Sequence, residues 1–151
     1  MRVKTIVLLF IGILLINNCL LAVSGNKKAL QYFFVGTYTD AGSEGIYSFS
    51  LDPITGKLTY HGLAAKTNNP SFLALTSNGK FLLAVHETKD ENGSNMGFIE
   101  SFAVKKGDNK LTSLGKVTSG GAHPCYVSVN KNGYVLAANY TGGNVALFRL
   151  D

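Results

Sequence analysis

The chain has 151 residues, 46% of them hydrophobic and 15% charged, with a formal net charge of +5, within the range of one ordinary domain. The lysines are scattered and form neither a basic stripe nor an aromatic RNA-reading motif, which argues against nucleic acid as a partner. Two cysteines without a CxxC pair, and no His and Cys cluster at metal-ligand spacing, leave a structural zinc site without support.

Residues 1–25 read MRVKTIVLLFIGILLINNCLLAVSG. Arg2 and Lys4 make a basic start, an uncharged apolar run follows over residues 6–16, and Ala22, Val23 and Ser24 supply small residues for cleavage. This three-part layout predicts an export signal, and the run is short for a bilayer span. A retained anchor is the alternative. A lipid anchor on Cys19 is disfavoured by the Asn17-Asn18 lead-in. Cleavage would leave a domain over residues 26–151, periplasmic or secreted and with no stable membrane insertion. It would remove Arg2 and Lys4, lowering the net charge from +5 to +3, and leave Cys125 as the one thiol and Arg149 as the one arginine.

Beyond the signal the pattern is that of short strands. Residues 46–51 alternate apolar and polar, and DPITGK follows as a turn punctuated by Pro53 and Gly56. Residues 58–62 form a second strand and residues 72–75 a third. TSNGK is a hairpin turn, since Asn-Gly readily takes positive φ at both turn positions. Residues 81–85 are almost wholly apolar, as expected of a strand buried on both faces. No stretch has a convincing helical period.

These elements recur. NPSFLALTSNGKFLLAVHE (residues 69–87) matches HPCYVSVNKNGYVLAANY (residues 123–140): Pro70 with Pro124, Gly79 with Gly133 and Ala84 with Ala138, each 54 positions apart. Upstream, Phe49 matches Phe102 and Leu58 matches Leu111, each 53 apart. A third, partial copy brackets the pair, with YFFVGTY (residues 32–38) resembling YVLAANY (residues 134–140) and GGNVALFRL restarting GIYSFSL. A four-stranded unit of about fifty residues is the mark of a β-propeller blade. The fold class is therefore all-β, a β-propeller of four-stranded antiparallel blades. The chain supplies about two and a half of them, where closed propellers have about four to eight. A fragment of a longer propeller is expected, with a small open β-domain as the alternative.

FVGTYTDAGSEGIYSFSLDPITGKLT, NPSFLALTSNGKFLLAVHE and GGAHPCYVSVNKNGYVLAANYTGGNVALFRL together resemble the lactonase family of seven-bladed β-propellers, over residues 31–151. That family includes the propeller-type 6-phosphogluconolactonases and the fungal carboxy-muconate cyclising enzymes. The resemblance implies a site on strand ends and loops at the central end of the propeller. VHE (residues 85–87) stands where the family has V-N-E, with His86 in place of asparagine. GGAHPC carries His123, and ANYTGG carries Asn139 and Tyr140.

Glu87 and His123 are thus the catalytic candidates, and Asn139, Tyr140 and His86 the substrate-binding candidates. A carboxylate at a cavity mouth can take a proton from water, and a histidine can relay one. Each has a structural alternative. Glu87 is also a strand-end acid, and His123 is also a turn residue, matching Asn69, which precedes a proline in the earlier copy. Proline at 124 is expected to hold His123 extended. Asn139 is also a turn cap, and Tyr140 a packing residue between blades. His86 and Glu87, adjacent in a strand, point to opposite faces. Cys125 matches Ser71 and reads as buried filler rather than a nucleophile. No GxSxG elbow is present.

By resemblance, the expected activity is hydrolysis of a sugar lactone, 6-phosphogluconolactone or a related aldonolactone, to its open-chain acid. It implies no metal or organic cofactor, although some lactone-cleaving propellers use a divalent ion. An export signal sits awkwardly with a cytosolic phosphogluconate route, as does the scarcity of arginine for a phosphate site. The other readings are a secreted propeller that binds sugars or proteins without catalysis, and a muconate-cyclising type of enzyme.

Overall fold

The computed structural model describes residues 29–88 and 96–150. The predicted signal over residues 1–25, with Cys19, lies outside the described residues. Ten strands follow one another among the described residues: β1 (Gln31–Val35), β2 (Gly45–Leu51), β3 (Leu58–Lys66), β4 (Leu73–Leu75), β5 (Phe81–His86), β6 (Phe98–Val104), β7 (Leu111–Thr118), β8 (Pro124–Val129), β9 (Tyr134–Asn139) and β10 (Asn144–Arg149). No helix occurs among the described residues.

The strands form three antiparallel sheets, ordered β1-β2-β3, β4-β5-β6-β7 and β8-β9-β10. Every pair of sheet neighbours is consecutive in the chain, an up-and-down meander that short loops enforce. The central sheet is one complete blade. Its boundaries correct the sequence reading, which grouped residues 46–85 as one unit. The chain leaves one sheet after β3 and enters the next at β4, so that unit straddles two blades. HPCYVSVNKNGYVLAANY accordingly forms the first and second strands of its blade. A repeat fixes the period of a meander but not its phase. The phase is set by where the chain crosses between sheets, here at the Asn69-Pro70 and His123-Pro124 corners.

β5 is buried on both sides, as its apolar run predicts. Leu82 and Ala84 pack with Ile46 and Ala64 of the first sheet and with Phe102 of their own. Leu83 and Val85 face the other way, onto Val127, Val135 and Ala137 of the third. Period-two alternation thus makes one strand the shared wall of two cores.

Two local expectations are revised. β3 runs on to Lys66 instead of ending near Gly62, because Gly62 takes φ 100° where the register slips against β2. The Asn-Gly turns do not place both residues at positive φ: only Gly79 and Gly133 do so. Thr76 N–H bonds Phe81 O at 2.9 Å, closing a four-residue loop. Asn78 stays in ordinary space because its Oδ1 accepts the Thr76 hydroxyl at 2.8 Å and Lys80 N–H at 3.0 Å.

Candidate active site at the strand ends

The C-terminal ends of β1, β5 and β9 and the N-terminal ends of β4 and β8 share one face of the molecule. The hairpin turns at Asn78-Gly79 and Asn132-Gly133 lie at the opposite end. A cleft of about 1030 Å³, lined partly by Asn78, Gly79, Lys105 and Lys106, is at that far end and contains none of the candidate residues.

The corners that deliver the chain to this face are unusual. Asn69 and His123 have φ of 42° and 50°, a left-handed conformation that costs a non-glycine residue energy. His123 is therefore not extended, contrary to what its proline neighbour suggests. The compensation repeats in both blades. Asn69 O accepts Glu87 N–H at 3.1 Å, and His123 O accepts Tyr140 N–H at 2.9 Å. Each bond pins the first residue past the second strand to the corner before the first strand. His123 is therefore both a corner residue and a site candidate.

Glu87 is half-buried, and its Oε2 accepts hydroxyls from two blades. Tyr38 Oη–H donates to it at 2.8 Å, and Ser71 Oγ–H donates to the same oxygen. The Tyr38 phenol is pushed above its ordinary value, first by the hydrogen bond to Glu87, then by desolvation and by the carboxylate charge; Ser71 opposes the shift. Cys125, at the Ser71 position of the next blade, is near enough for its charge to add to the effect on Tyr38. It is half-buried and free, with Sγ 3.8 Å from Ala138 O.

His123 N–H reaches Thr88 O at 3.4 Å, which ties it to the residue after Glu87. Its Nδ1 lies 2.8 Å from Thr141 Oγ1. Ala122 and Thr141 also line a cleft of about 570 Å³ with Gly120, Gly121, Gly142 and Asn144. Glycine is required there: a Cβ on Gly121 would come within 2.3 Å of Asn144 Oδ1 and 2.8 Å of Asn139 Cγ. Tyr140 stands on this face, 80% exposed, rather than packed between blades.

The other two candidates lie below the surface. Asn139 is buried, with Nδ2 donating to Ser119 O at 2.9 Å. Its Oδ1 is buried without a partner among the described residues. His86, also buried, has Nε2 2.7 Å from Glu100 Oε2 and 2.7 Å from Thr67 Oγ1. The Thr67 hydroxyl donates to the same Glu100 oxygen at 2.7 Å, so its oxygen can only accept from the ring. Nε2 must therefore carry a hydrogen. Ser113 Oγ–H donates to Glu100 Oε1 at 2.6 Å. Burial alone would raise the Glu100 carboxyl, but the hydrogen bonds from His86, Ser113 and Thr67 and the attraction of His86 outweigh it and hold the carboxyl down at about 2. The sequence expectation that His86 and Glu87 point to opposite faces matches this placement.

Glu87, His123 and Tyr140 thus meet on one face, while His86 and Asn139 sit beneath it and stitch each blade to the end of the preceding one. Sequence reasoning missed Tyr38, Ser71 as a partner of Glu87, and Glu100. A signal for Tyr38 was hidden in the repeat by a one-residue error: Leu73 pairs with Ala84 and Val127 with Ala137, so Ala84 corresponds to Ala137 rather than Ala138, and Tyr38, Glu87 and Tyr140 are the same position in three successive blades. Among the described residues no group of three or more His, Cys, Asp or Glu is placed to hold a metal ion.

Comparison with known proteins places these features. Residues 32–151 match the family described as Lactonase, 7-bladed beta-propeller. A 6-phosphogluconolactonase of Bacillus subtilis (strain 168) is 40% identical over 116 residues, covering 76% of this chain and 32% of the relative. One from Formosa agariphila is 30% identical, covering 78% of this chain and 33% of the relative. The solved structure of the Pseudomonas aeruginosa periplasmic gluconolactonase superimposes with a TM-score of 0.73 at 30% identity, over 82% of this chain and 35% of that one. The chain spans about a third of the length of these relatives. The blades, their corners and their sequence match agree: the chain belongs to the seven-bladed β-propeller lactonase family.

Proposed function

We propose that the protein opens a sugar lactone by adding water. The observation that carries this reading is the Glu87 carboxylate at the strand-end mouth, one oxygen held by Tyr38 and Ser71, with His123 beside Thr88. Relatives named 6-phosphogluconolactonase and a periplasmic gluconolactonase support a lactone as the substrate class. The periplasmic relative also supports an exported protein and an unphosphorylated aldonolactone.

In this mechanism Glu87 takes a proton from water as the oxygen attacks the ring carbonyl. The tetrahedral oxyanion is met by hydroxyl and imidazole donors, Tyr140 and His123 among them. Collapse breaks the bond to the ring oxygen, and Glu87 returns the proton it took from water to that oxygen through the His123 imidazole, so both side chains end as they began. One water is consumed and one open-chain acid is formed. Asn139 acts from below, keeping the Gly121 and Gly142 loops against one another so that the cleft beside His123 keeps its shape.

The test is a pH-stat assay of the full chain with glucono-δ-lactone, corrected for spontaneous opening. Glu87→Gln should lower kcat by about 100-fold or more, the usual worth of a general base. A wild-type rate equal to the spontaneous one, across several aldonolactones, would sink the enzyme reading and leave a non-catalytic sugar-binding propeller.

A further inference from the structure

The Glu87 carboxylate is not free to turn. Oε2 accepts from both Tyr38 and Ser71, while Oε1 has no protein donor among the described residues. The donors come from different places. Ser71 lies two residues beyond Asn69 on the corner before β4, in Glu87's own blade. Tyr38 lies on the loop after β1, in the preceding blade. That loop is itself tied down across the blade boundary: Asn69 Oδ1 accepts Thr39 N–H at 2.7 Å and the Thr39 hydroxyl at 2.9 Å. One strained residue, Asn69, thus fixes the loop that presents Tyr38 and, through its carbonyl, the N–H of Glu87.

We propose that Tyr38 is a positioning residue for Glu87. It reaches from the neighbouring blade, together with Ser71, to lock one carboxylate oxygen and leave Oε1 as the single oxygen that accepts the proton from water. This rests on the lactone-opening function proposed above. The physical gain is orientation: a carboxylate with one oxygen doubly held presents the other in a fixed direction, and small misplacements of a base are costly in rate. Tyr38 is more than half exposed, so its hydroxyl contributes little to packing. The raised phenol value keeps that hydroxyl protonated, as a donor must be.

Two readouts on the full chain test the assignment. First, the Tyr38 phenol is titrated by NMR in tyrosine-labelled protein, with Tyr38→Phe identifying its resonance. The wild-type phenol should titrate above ordinary tyrosine and move down in Glu87→Gln. An identical Tyr38 titration in both proteins would remove the contact and the proposal with it. Second, Tyr38→Phe should lower kcat on glucono-δ-lactone by about 5- to 20-fold, with KM within about twofold and melting unchanged, the pattern of a lost orientation rather than lost binding. An unchanged kcat would overturn the proposal even with the contact present. If the wild-type chain opens no lactone, the proposed function fails; the titration then decides by itself whether Tyr38 holds Glu87.

Discussion

Glu100→Gln is the sharpest probe of how these blades are held together. Glu100 joins β6 to the end of β3 in the previous blade, through Thr67, and to the end of β5, through His86. Its side chain is only 12% exposed. The carboxyl is held at about 2, against an ordinary value of 4.5. At about 1.4 kcal/mol per pH unit, the difference is worth about 3 kcal/mol of folding free energy. Screening on the Oε1 side, where the exposed Ser113 bonds it, reduces this to about 2 kcal/mol. The sign follows from the depressed value. The contribution is fully present above the unfolded carboxyl's value and is lost as pH falls from about 5 towards 2. Glutamine keeps the shape but cannot ionise. Urea denaturation of wild type and Glu100→Gln, from about pH 7 to about pH 3, should show a gap of about 2 kcal/mol at neutrality that mostly closes at the acid end. The other carboxylates titrate in both proteins and cancel in the difference. A gap independent of pH would refute the reasoning, because a packing defect would persist in acid while a lost ionic contact would not.

Other outcomes follow from the same geometry. His123→Ala should lower kcat about 100-fold in the pH-stat assay, within the range of proton-transfer catalysis, whereas His123→Gly should melt higher than His123→Ala because glycine accepts φ 50° without strain. Gly97→Ala places a Cβ 2.1 Å from Pro124 Cδ and 2.8 Å from His86 O, so the loss measured by urea denaturation should exceed about 2 kcal/mol. Phe102→Ala empties the core between the first two sheets, where Phe102 is 1% exposed, and should cost about 3–5 kcal/mol in the same experiment.

Strand identity was legible because it rests on local alternation and turn chemistry, and the repeat made that alternation visible twice. Phase was not, since it depends on which strands bond across a corner, and Asn69-Pro70 and His123-Pro124 look like ordinary turn dipeptides until their φ values are known. A proline suggests an extended neighbour; the left-handed turn wins because one carbonyl–amide bond per blade offsets the strain.

The site divides in the same way. Glu87 could be picked out because VHE resembles the family's V-N-E, and His123 because it departs from Asn69, its repeat partner. His86 and Asn139 share a position one residue earlier, on the opposite side of the strand, and that alternation puts both under the surface. Under the proposed function, this chain carries its structural stitching and its chemistry on consecutive residues. The last buried residue of the second strand holds the previous blade: His86 to Thr67, Asn139 to Ser119. The next residue faces the mouth. Substitution at the first position should register in stability and its pH dependence, and at the second in kcat. Tyr38 belongs with the second set by position, which the sequence shows, and acts on Glu87 by contact across 49 residues, which only the folded chain shows.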